Sequence, residues 1–308
     1  MKLRALSHYS EDLDTRFGDC ILLYNTTSMI VYDCGHTDHA EAVKTFLQLN
    51  SLISQVNIIV SHNDSDHTNG VVELLDYLHT NTKYTATLYS SLYLKSAKKV
   101  LDILDDDRRT LPATKERILN TFDKIKTIIE KAKEYNISVE DATVNTLVSS
   151  CSIVGPTEDE FANVVAEAIK DNNASIFNET VMNAASVQLK GKLNNFQNIL
   201  LCGDASPTYL HNLDNFDIIQ LPHHGKLDSA KKIFDSLENP YNKEFLISDN
   251  TGSGEKSGGS DNLVEYMVEE CYTPAWNTKD GVVEIPVIGT TNILNNKPKG
   301  VRLGAVDC

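Results

Sequence analysis

Short apolar runs alternate with amphipathic stretches along most of the 308-residue chain. In the N-terminal part, apolar runs at residues 21–24, 29–32 and 57–60 predict strands. The spacing of apolar side chains predicts a helix over residues 39–49, and a shorter helix is expected over residues 71–78. The first part of the chain therefore interleaves strands with helices.

Residues 95–135 are rich in charge and are predicted to be helical. Apolar side chains recur there at spacings of three and four, which predicts an amphipathic helix with one buried face. These apolar positions are Ile118, Phe122, Ile125, Ile129 and Ala132. We interpret the segment as a helical insertion over a core rather than as a cap over a site.

A second strand-rich part begins near residue 151, and a helix is predicted over residues 158–170. The strands expected around this helix are 152–154, 186–189, 198–202, 217–221 and 244–248. The Gly- and Ser-rich residues 251–260 predict a flexible loop. Two strand-rich parts with interspersed helices favour an α/β (α+β) protein with one domain, an αββα sandwich in which two sheets lie face to face with helices outside.

The composition, with 41% hydrophobic and 23% charged residues, is that of an ordinary globular protein. No apolar run approaches the roughly 20 residues that span a bilayer, and the N-terminus lacks the apolar core of a signal peptide. A cytoplasmic protein without membrane association is therefore expected. The net charge of −15 counts against sequence-independent binding to long DNA. The six cysteines include no CxxC pair, which argues against a cysteine-based zinc site.

Candidate chemistry is concentrated directly after the apolar run at residues 57–60. Residues 61–70 read Ser-His-Asn-Asp-Ser-Asp-His-Thr-Asn-Gly, so four potential metal ligands fall within six residues. A buried strand that ends in imidazoles and carboxylates is unfavourable as packing, but a cation can offset their charge in a metal site. The four potential ligands are His62, Asp64, Asp66 and His67.

Three further predicted strands also end in polar or ionisable residues, namely Asp33, Asp204 and the pair His223 and His224. If these strand ends meet at one edge of a sandwich, the site gains a carboxylate and one or two imidazoles. Such a mixture of oxygen and nitrogen donors suits zinc, manganese or iron. Two ions about 3.5–4 Å apart could share a hydroxide.

This ordered set of motifs resembles the metallo-β-lactamase superfamily, and more closely the branch found in ComEC-type competence proteins. The loop reads HxDxDH, as in that branch, where the commoner superfamily motif is HxHxDH. The branch also has a GD near the first strands, a strand ending in GD and an HHGS-like motif, which correspond here to Gly18-Asp19, Gly203-Asp204 and His223-His224-Gly225-Lys226. The resemblance covers most of residues 15–285 and implies a four-layer metallo-β-lactamase sandwich with two divalent metal ions, zinc or manganese.

The resemblance also implies a metal ligand at each matched position. His62 and Asp64 would bind one ion, and Asp66 and His67 the other. Asp204 would bridge the two ions.

Further roles follow from the same resemblance. His223 or His224 would complete or line the site, and the choice between them stays open. Asp33 would be a buried residue that orients the metal ligands without binding the metal itself. A metal-bound hydroxide would be the nucleophile, and Asp66 could hold it or move protons. The candidate catalytic residues are Asp66, His223 and His224.

The chain departs from the superfamily pattern at several positions. A separate histidine usually lies between the HxHxDH loop and the bridging aspartate, but here that interval contains only His79, on a predicted helix. The first ion would therefore lack a ligand unless the histidine pair or water compensates. The final superfamily histidine is also missing, and Asp249 could replace it and favour manganese. Lys226 stands in place of the serine of HHGS, and Asp19 is interpreted as a turn residue.

The main hypothesis is a metal-dependent hydrolase, a phosphodiesterase or nuclease, because cations stabilise the charged transition state of phosphoryl transfer. DNA, RNA and nucleotides all remain candidate substrates. The acidic chain favours a small or end-on substrate, or a partner protein that presents the substrate. Two alternatives stay open: hydrolysis of a lactone, thioester or other ester by the same fold, and a degenerate metal-binding module in a larger assembly.

Overall fold

The computed structural model describes residues 1–7, 17–91, 94–105, 109–171, 173–176, 179–249, 260–272 and 275–286. The strands are β1 (Lys2–Ala5), β2 (Ile21–Tyr24), β3 (Ser28–Tyr32), β4 (Gln55–Val60), β5 (Thr85–Ser90), β6 (Ser138–Asp141), β7 (Leu147–Val148), β8 (Cys151–Gly155), β9 (Ser175–Ile176), β10 (Glu179–Thr180), β11 (Gln188–Lys192), β12 (Asn198–Leu201), β13 (Ile218–Gln220), β14 (Glu244–Ile247), β15 (Ala275–Asn277) and β16 (Val283–Ile285). The α-helices are α1 (Thr37–Leu49), α2 (Ser65–Thr68), α3 (Val71–Thr80), α4 (Ala97–Leu104), α5 (Leu111–Thr121), α6 (Asp123–Glu134), α7 (Glu158–Lys170), α8 (Pro222–Gly225), α9 (Leu227–Ser236) and α10 (Asp261–Glu269). Short 3₁₀ turns lie at Leu94–Ser96, Pro207–Tyr209, Leu213–Asn215, Pro240–Asn242 and Thr278–Asp280.

The strands form two large sheets and one small pair. The first sheet has the order β16-β1-β2-β3-β4-β5-β6 and the second β15-β14-β13-β12-β11-β8-β7, while β9 and β10 pair separately. Strands β3 to β6 are parallel, and so are β12 to β15. Because parallel strands end at a common edge, the residues that follow β3 and β4 emerge together, as do those that follow β12 and β13.

The side chains of β3 show how the layers are built. Met29 and Val31 belong to a core shared with helices, whereas Ile30 and Tyr32 belong to a core shared with strands of the second sheet. Successive side chains on a strand point to opposite faces, so a strand covered on both faces is apolar throughout. A third core packs the outer face of the second sheet against α9 and α10. These layers confirm the predicted αββα sandwich.

The predicted amphipathic helix over the insertion is wrong as a single helix, although its helical character is confirmed. The helix is interrupted at Phe122, which lies between the end of α5 and the start of α6. The break has a tertiary cause: Asn63 Oδ1 accepts hydrogen bonds from the backbone N–H groups of Lys124 and Ile125, which start α6. The amide of Asn63 thereby joins the insertion to the loop that follows β4.

Two other sequence predictions have clear outcomes. The helix predicted over residues 158–170 is confirmed as α7, which begins with a capping box between Thr157 and Glu160. The strand predicted at 186–189 begins two residues later, because Ser186 donates to Asn183 O in a turn. Of the flexible loop predicted over residues 251–260, residues 251–259 lie outside the described residues. No helix in the described part of the chain is long and apolar enough to cross a membrane.

Candidate metal centre

The metal-ligand candidates lie where parallel strands of both sheets end. His62 and His67 come from the loop after β4, and Asp204 from the loop after β12. One donor atom of each lies within 4.8 Å of the others, and all three side chains are buried. The strand ends therefore converge as the sequence pattern predicted.

Two glycines allow the ligand loop to approach the neighbouring backbone closely. A Cβ atom on Gly18 would lie 1.7 Å from Asp66 O, and one on Gly35 would lie 1.9 Å from the same atom. Gly18 also has a φ of +64°, which glycine adopts without strain. In the space these glycines leave, the N–H of Asp19 donates to Asp66 O at 2.9 Å. The backbone at Asp66 is thus fixed from outside its own loop.

Asp33, which follows β3, anchors the ligand loop through its carboxylate. It is fully buried and accepts hydrogen bonds from Ser61 N at 2.7 Å and Ser61 Oγ at 2.6 Å. His67 Nδ1 lies 2.8 Å from Asp33 Oδ2. Because the carboxylate is the acceptor, Nδ1 of His67 carries a proton, and Nε2 is the nitrogen whose lone pair becomes available to a metal when its own proton is released.

Ser61 fixes the orientation of His62 in a similar way. Ser61 Oγ lies 2.9 Å from His62 Nδ1. Since the Ser61 hydroxyl proton is donated to Asp33, the Ser61 oxygen accepts from His62 Nδ1–H. Nε2 of His62 is therefore left with a free lone pair.

His224 is held by a second set of acceptors. Its Nδ1 lies 3.0 Å from Ser248 O and 3.1 Å from Asp19 Oδ1. A carbonyl oxygen can only accept, so Nδ1 is the protonated nitrogen and Nε2 is the potential ligand. Gln220 Nε2 donates to the other oxygen of Asp19 at 2.8 Å. Asp19 is therefore not simply a turn residue, because its buried carboxylate orients His224.

Four buried atoms at the centre make no hydrogen bond with any described residue. They are Nε2 of His62, His67 and His224, and Oδ1 of Asp204. Burying a polar atom without a partner costs about 1–3 kcal/mol, and four in one place would be costly. Bound metal ions would satisfy these atoms, so this donor set fits divalent cations.

The spacing of the donor atoms supports this assignment. Two ligands about 2.1 Å from a tetrahedral zinc ion lie about 3.4 Å apart. His224 Nε2 is 3.3 Å from Asp66 Oδ2, and His67 Nε2 is 3.4 Å from Asp204 Oδ1. On the other side, His62 Nε2 is 3.9 Å from Asp204 Oδ2. His224 Nε2 is also 4.0 Å from Asp204 Oδ2. Two of the donor pairs are therefore already at ligand spacing, whereas His62 and His224 both lie farther from Asp204 Oδ2.

The charges of the cluster shift its pKa values in opposite directions. Burial lowers the pKa of His67, but Asp204 and Asp33 outweigh burial and raise this pKa well above its usual value. For His224, burial is outweighed in the same way by Asp204 and Asp19, and the pKa is again raised well above its usual value. Burial raises the pKa of Asp204, but the charges of His67 and His224 hold it well below the usual range. Protons on these imidazoles therefore balance the carboxylates when no cation does.

Metal binding should consequently depend strongly on pH. A cation must displace the protons of His67 and His224, whose pKa values are raised above the ordinary imidazole value of about 6.5. Affinity for Zn²⁺ is expected to keep rising as the pH is raised above about 6.5, the ordinary imidazole pKa, instead of levelling off there. Competition with a chromophoric chelator across this range measures the affinity, and calorimetry in buffers of different ionisation enthalpy counts released protons. An affinity that is constant above about pH 6.5 would contradict the predicted proton balance.

His223 occupies a different environment from His224. Its Nδ1 lies 2.7 Å from Glu179 Oε2, and the ring is half-buried beside the donor cluster rather than within it. Buried Glu179 also accepts from Lys226 Nζ at 3.1 Å and from Ser229 Oγ at 2.7 Å. Between the two histidines that the sequence left open, the structure places His224 among the donors. Sequence reasoning missed Glu179, which lies in no motif.

Other candidates lie at the rim of the cluster or outside it. Asp64 is 40% exposed, with Oδ2 3.8 Å from His62 Nε2. Asp249 accepts hydrogen bonds from the backbone N–H and the hydroxyl of Ser260, and it is not grouped with the donor cluster. The ring of His79 stacks on Tyr135 with centroids 4.1 Å apart, which makes it a packing residue of α3.

Asn183 lies beside Asp204, and sequence reasoning gave it no role. Its Nδ2 donates to Asp204 Oδ2 at 3.2 Å. Thr180 Oγ1 donates to the amide oxygen of Asn183 at 2.7 Å. Asn183 therefore lies against the oxygen of Asp204 that faces His62.

Comparisons with known proteins find similarity in structure but not in sequence. The chain matches no family profile and no curated protein. It is similar to the metallo-β-lactamase-fold protein YhfI from Bacillus subtilis, with 11% identity over 92% of this chain and 100% of that one and a TM-score of 0.48. A Cronobacter sakazakii metallo-β-lactamase with a HARLDQ motif has 14% identity over 73% of this chain and 71% of that one, with a TM-score of 0.31. A long-form RNase Z from yeast has 12% identity over 80% of this chain and 36% of that one, with a TM-score of 0.37.

Proposed function

We propose that this protein is a metal-dependent phosphodiester hydrolase that binds divalent cations, zinc or manganese, at the strand-end cluster. The observation that carries the proposal is the convergence of three imidazole nitrogens and one carboxylate oxygen, all buried and without a hydrogen-bond partner among the described residues. The HxDxDH loop and its resemblance to ComEC-type domains support the choice of phosphodiester chemistry.

Each side chain in the cluster has a definable task. Asp204 presents its two oxygens to His67 and His62, at 3.4 and 3.9 Å, so it can contact two ion positions. Asp66 Oδ2 is half-buried and 3.3 Å from His224 Nε2, where it can bind an ion or accept a proton. A bound cation would lower the pKa of a water ligand and stabilise negative charge on the substrate.

Cationic side chains beside the cluster favour an anionic substrate. Lys124 Nζ donates to Ser65 Oγ at 2.6 Å, and Ser65 lies between two acidic residues of the ligand loop. Lys226, held by Glu179, follows the histidine pair. In a chain with a net charge of −15, lysines placed beside the site are suited to contact a phosphate group. The overall negative charge still favours a small or end-on substrate, or one presented by a partner protein.

Hydrolysis assays with a panel of substrates test this function. With Mn²⁺ or Zn²⁺ the protein is expected to hydrolyse bis(p-nitrophenyl) phosphate, and single-stranded DNA, RNA and cyclic nucleotides then identify the natural class. Asp66→Ala should abolish this activity, because it removes a carboxylate 3.3 Å from His224 Nε2. Asp38→Ala, on the exposed start of α1, is the matched control and should leave activity unchanged.

Two outcomes of the same panel would reject the proposal. Hydrolysis of lactones, thioesters or other esters with phosphodiesters untouched would assign the protein to the ester-hydrolase alternative. Absence of both bound metal and metal-stimulated activity would favour a degenerate interaction module.

A further inference from the structure

The donor atoms around Asp204 fall into two groups, which differ in the number of donors and in how firmly the donors are held. The inner position is defined by Asp66 Oδ2, His67 Nε2, His224 Nε2 and Asp204 Oδ1. The outer position is defined by His62 Nε2, Asp64 Oδ2 and Asp204 Oδ2. The inner position has four protein donors and the outer position three, so the first can complete a tetrahedral coordination shell without water or substrate.

The inner donors are also the more rigid. The imidazoles of His67 and His224 are each oriented by a buried carboxylate, Asp33 at 2.8 Å and Asp19 at 3.1 Å. Carboxylates that accept a hydrogen bond from a metal-binding imidazole in this way typically raise metal affinity by about 10–100-fold. Two of the inner donor pairs are separated by 3.3 and 3.4 Å, which is close to ligand spacing, while His224 Nε2 and Asp204 Oδ2 are 4.0 Å apart. A cation bound at the inner position would draw His224 and Asp204 closer together but would find the other donors in place.

The outer donors are looser. Asp64 is 40% exposed, so its carboxylate gives up more hydration when it binds an ion. The distances from His62 Nε2 to Asp64 Oδ2 and Asp204 Oδ2 are 3.8 and 3.9 Å. These donors must move closer together around a small cation, at a cost in affinity.

Asn183 weakens the outer position further. Its Nδ2 donates to Asp204 Oδ2, the oxygen that this position shares. The amide orientation is determined from both ends, because Asp204 can only accept and Thr180 Oγ1 donates to Asn183 Oδ1. Asn183 therefore presents N–H groups where a third neutral nitrogen ligand would complete the shell.

We infer that the two metal positions are unequal: the inner position fills first, the outer position binds a second ion much more weakly, and Asn183 sets this difference. The inference rests on the metal site of the proposed function but not on hydrolysis. Its consequence is a metal centre that holds one resident ion and takes up the second reversibly.

Titration of the metal-free full-length protein with Co²⁺, followed by visible absorption, tests the inequality in the wild type. We expect one tight equivalent, followed by a step at least about tenfold weaker or by none. His62→Ala should leave the tight step intact, whereas His224→Ala should abolish it. His79→Ala, which removes a histidine stacked on Tyr135, is the matched control and should titrate like the wild type.

Asn183→His tests the role of the amide by supplying the missing nitrogen donor. The second equivalent is expected to tighten at least about tenfold, while Asn183→Ala should not produce this gain. Two equal tight equivalents in the wild type would overturn the inference, as would an Asn183→His variant that titrates like Asn183→Ala. If Asn183→His fails to fold, the wild-type and His62→Ala titrations still decide the inequality. Stepwise binding without phosphodiester hydrolysis would preserve this inference and reject the proposed function.

Discussion

Asp204→Asn is expected to lower kcat/KM for phosphodiester hydrolysis by about a thousandfold or more. A loss of this size is typical when an enzyme loses a group that stabilises charge in the transition state. Asp204 is the carboxylate that faces both His67 and His62, so its loss impairs both metal positions. An amide is nearly isosteric with the carboxylate but cannot neutralise a cation. Steady-state kinetics together with the metal content of the purified variant measure both effects.

A second readout of the same variant separates charge from packing. Asp204 is the main group that raises the pKa of His67, so this pKa should fall in metal-free Asp204→Asn. NMR titration of the imidazole reports the shift. Glu167→Gln, which neutralises an exposed carboxylate paired with Lys170, serves as the control. Unchanged metal content and unchanged activity in Asp204→Asn would contradict the assignment of this residue.

Asp33→Ala is expected to reduce the free energy of unfolding by about 3–5 kcal/mol, the usual effect of removing one partner from a buried charged network. Asp33 satisfies the backbone N–H and hydroxyl of Ser61 and the Nδ1–H of His67, all of them buried. Without the carboxylate, these donors stay buried without an acceptor. Denaturant unfolding of the metal-free protein measures the loss.

Asp33→Asn separates the fold from the metal site. Asparagine tolerates the φ of +59° at this position and can still accept from Ser61 N, so a smaller stability loss is expected. Metal affinity should nevertheless fall about 10–100-fold, because the neutral amide no longer polarises His67. An Asp33→Ala variant within about 1 kcal/mol of the wild type would show that the network is not structural.

The ligand loop could be predicted from sequence because its chemistry is local. His62, Asp64, Asp66 and His67 are neighbours along the chain, and an apolar strand directly before them fixes where the loop starts. The sandwich could also be predicted from the sequence, because apolar runs indicate strands that are covered on both faces. Local pattern and tertiary structure agree in these regions.

The supporting residues could not be predicted, because their roles depend on distant partners. Asp19 orients His224 across 205 positions, and Asn183 contacts Asp204 across 21. His223 and His224 are adjacent and both have a φ of 56°, so only their tertiary neighbours distinguish them. The break in the helical insertion likewise depends on a side chain 61 positions away from Lys124.

Anomalous diffraction from crystals of the full-length protein grown with Mn²⁺ or Zn²⁺ tests the metal centre most directly. A peak is expected at the inner position, within about 2.0–2.3 Å of His67 Nε2, His224 Nε2 and one oxygen each of Asp66 and Asp204. A second peak near His62 should have lower occupancy or be absent. No anomalous peak at the cluster in metal-grown crystals, or a metal bound only elsewhere on the chain, would contradict the assignment.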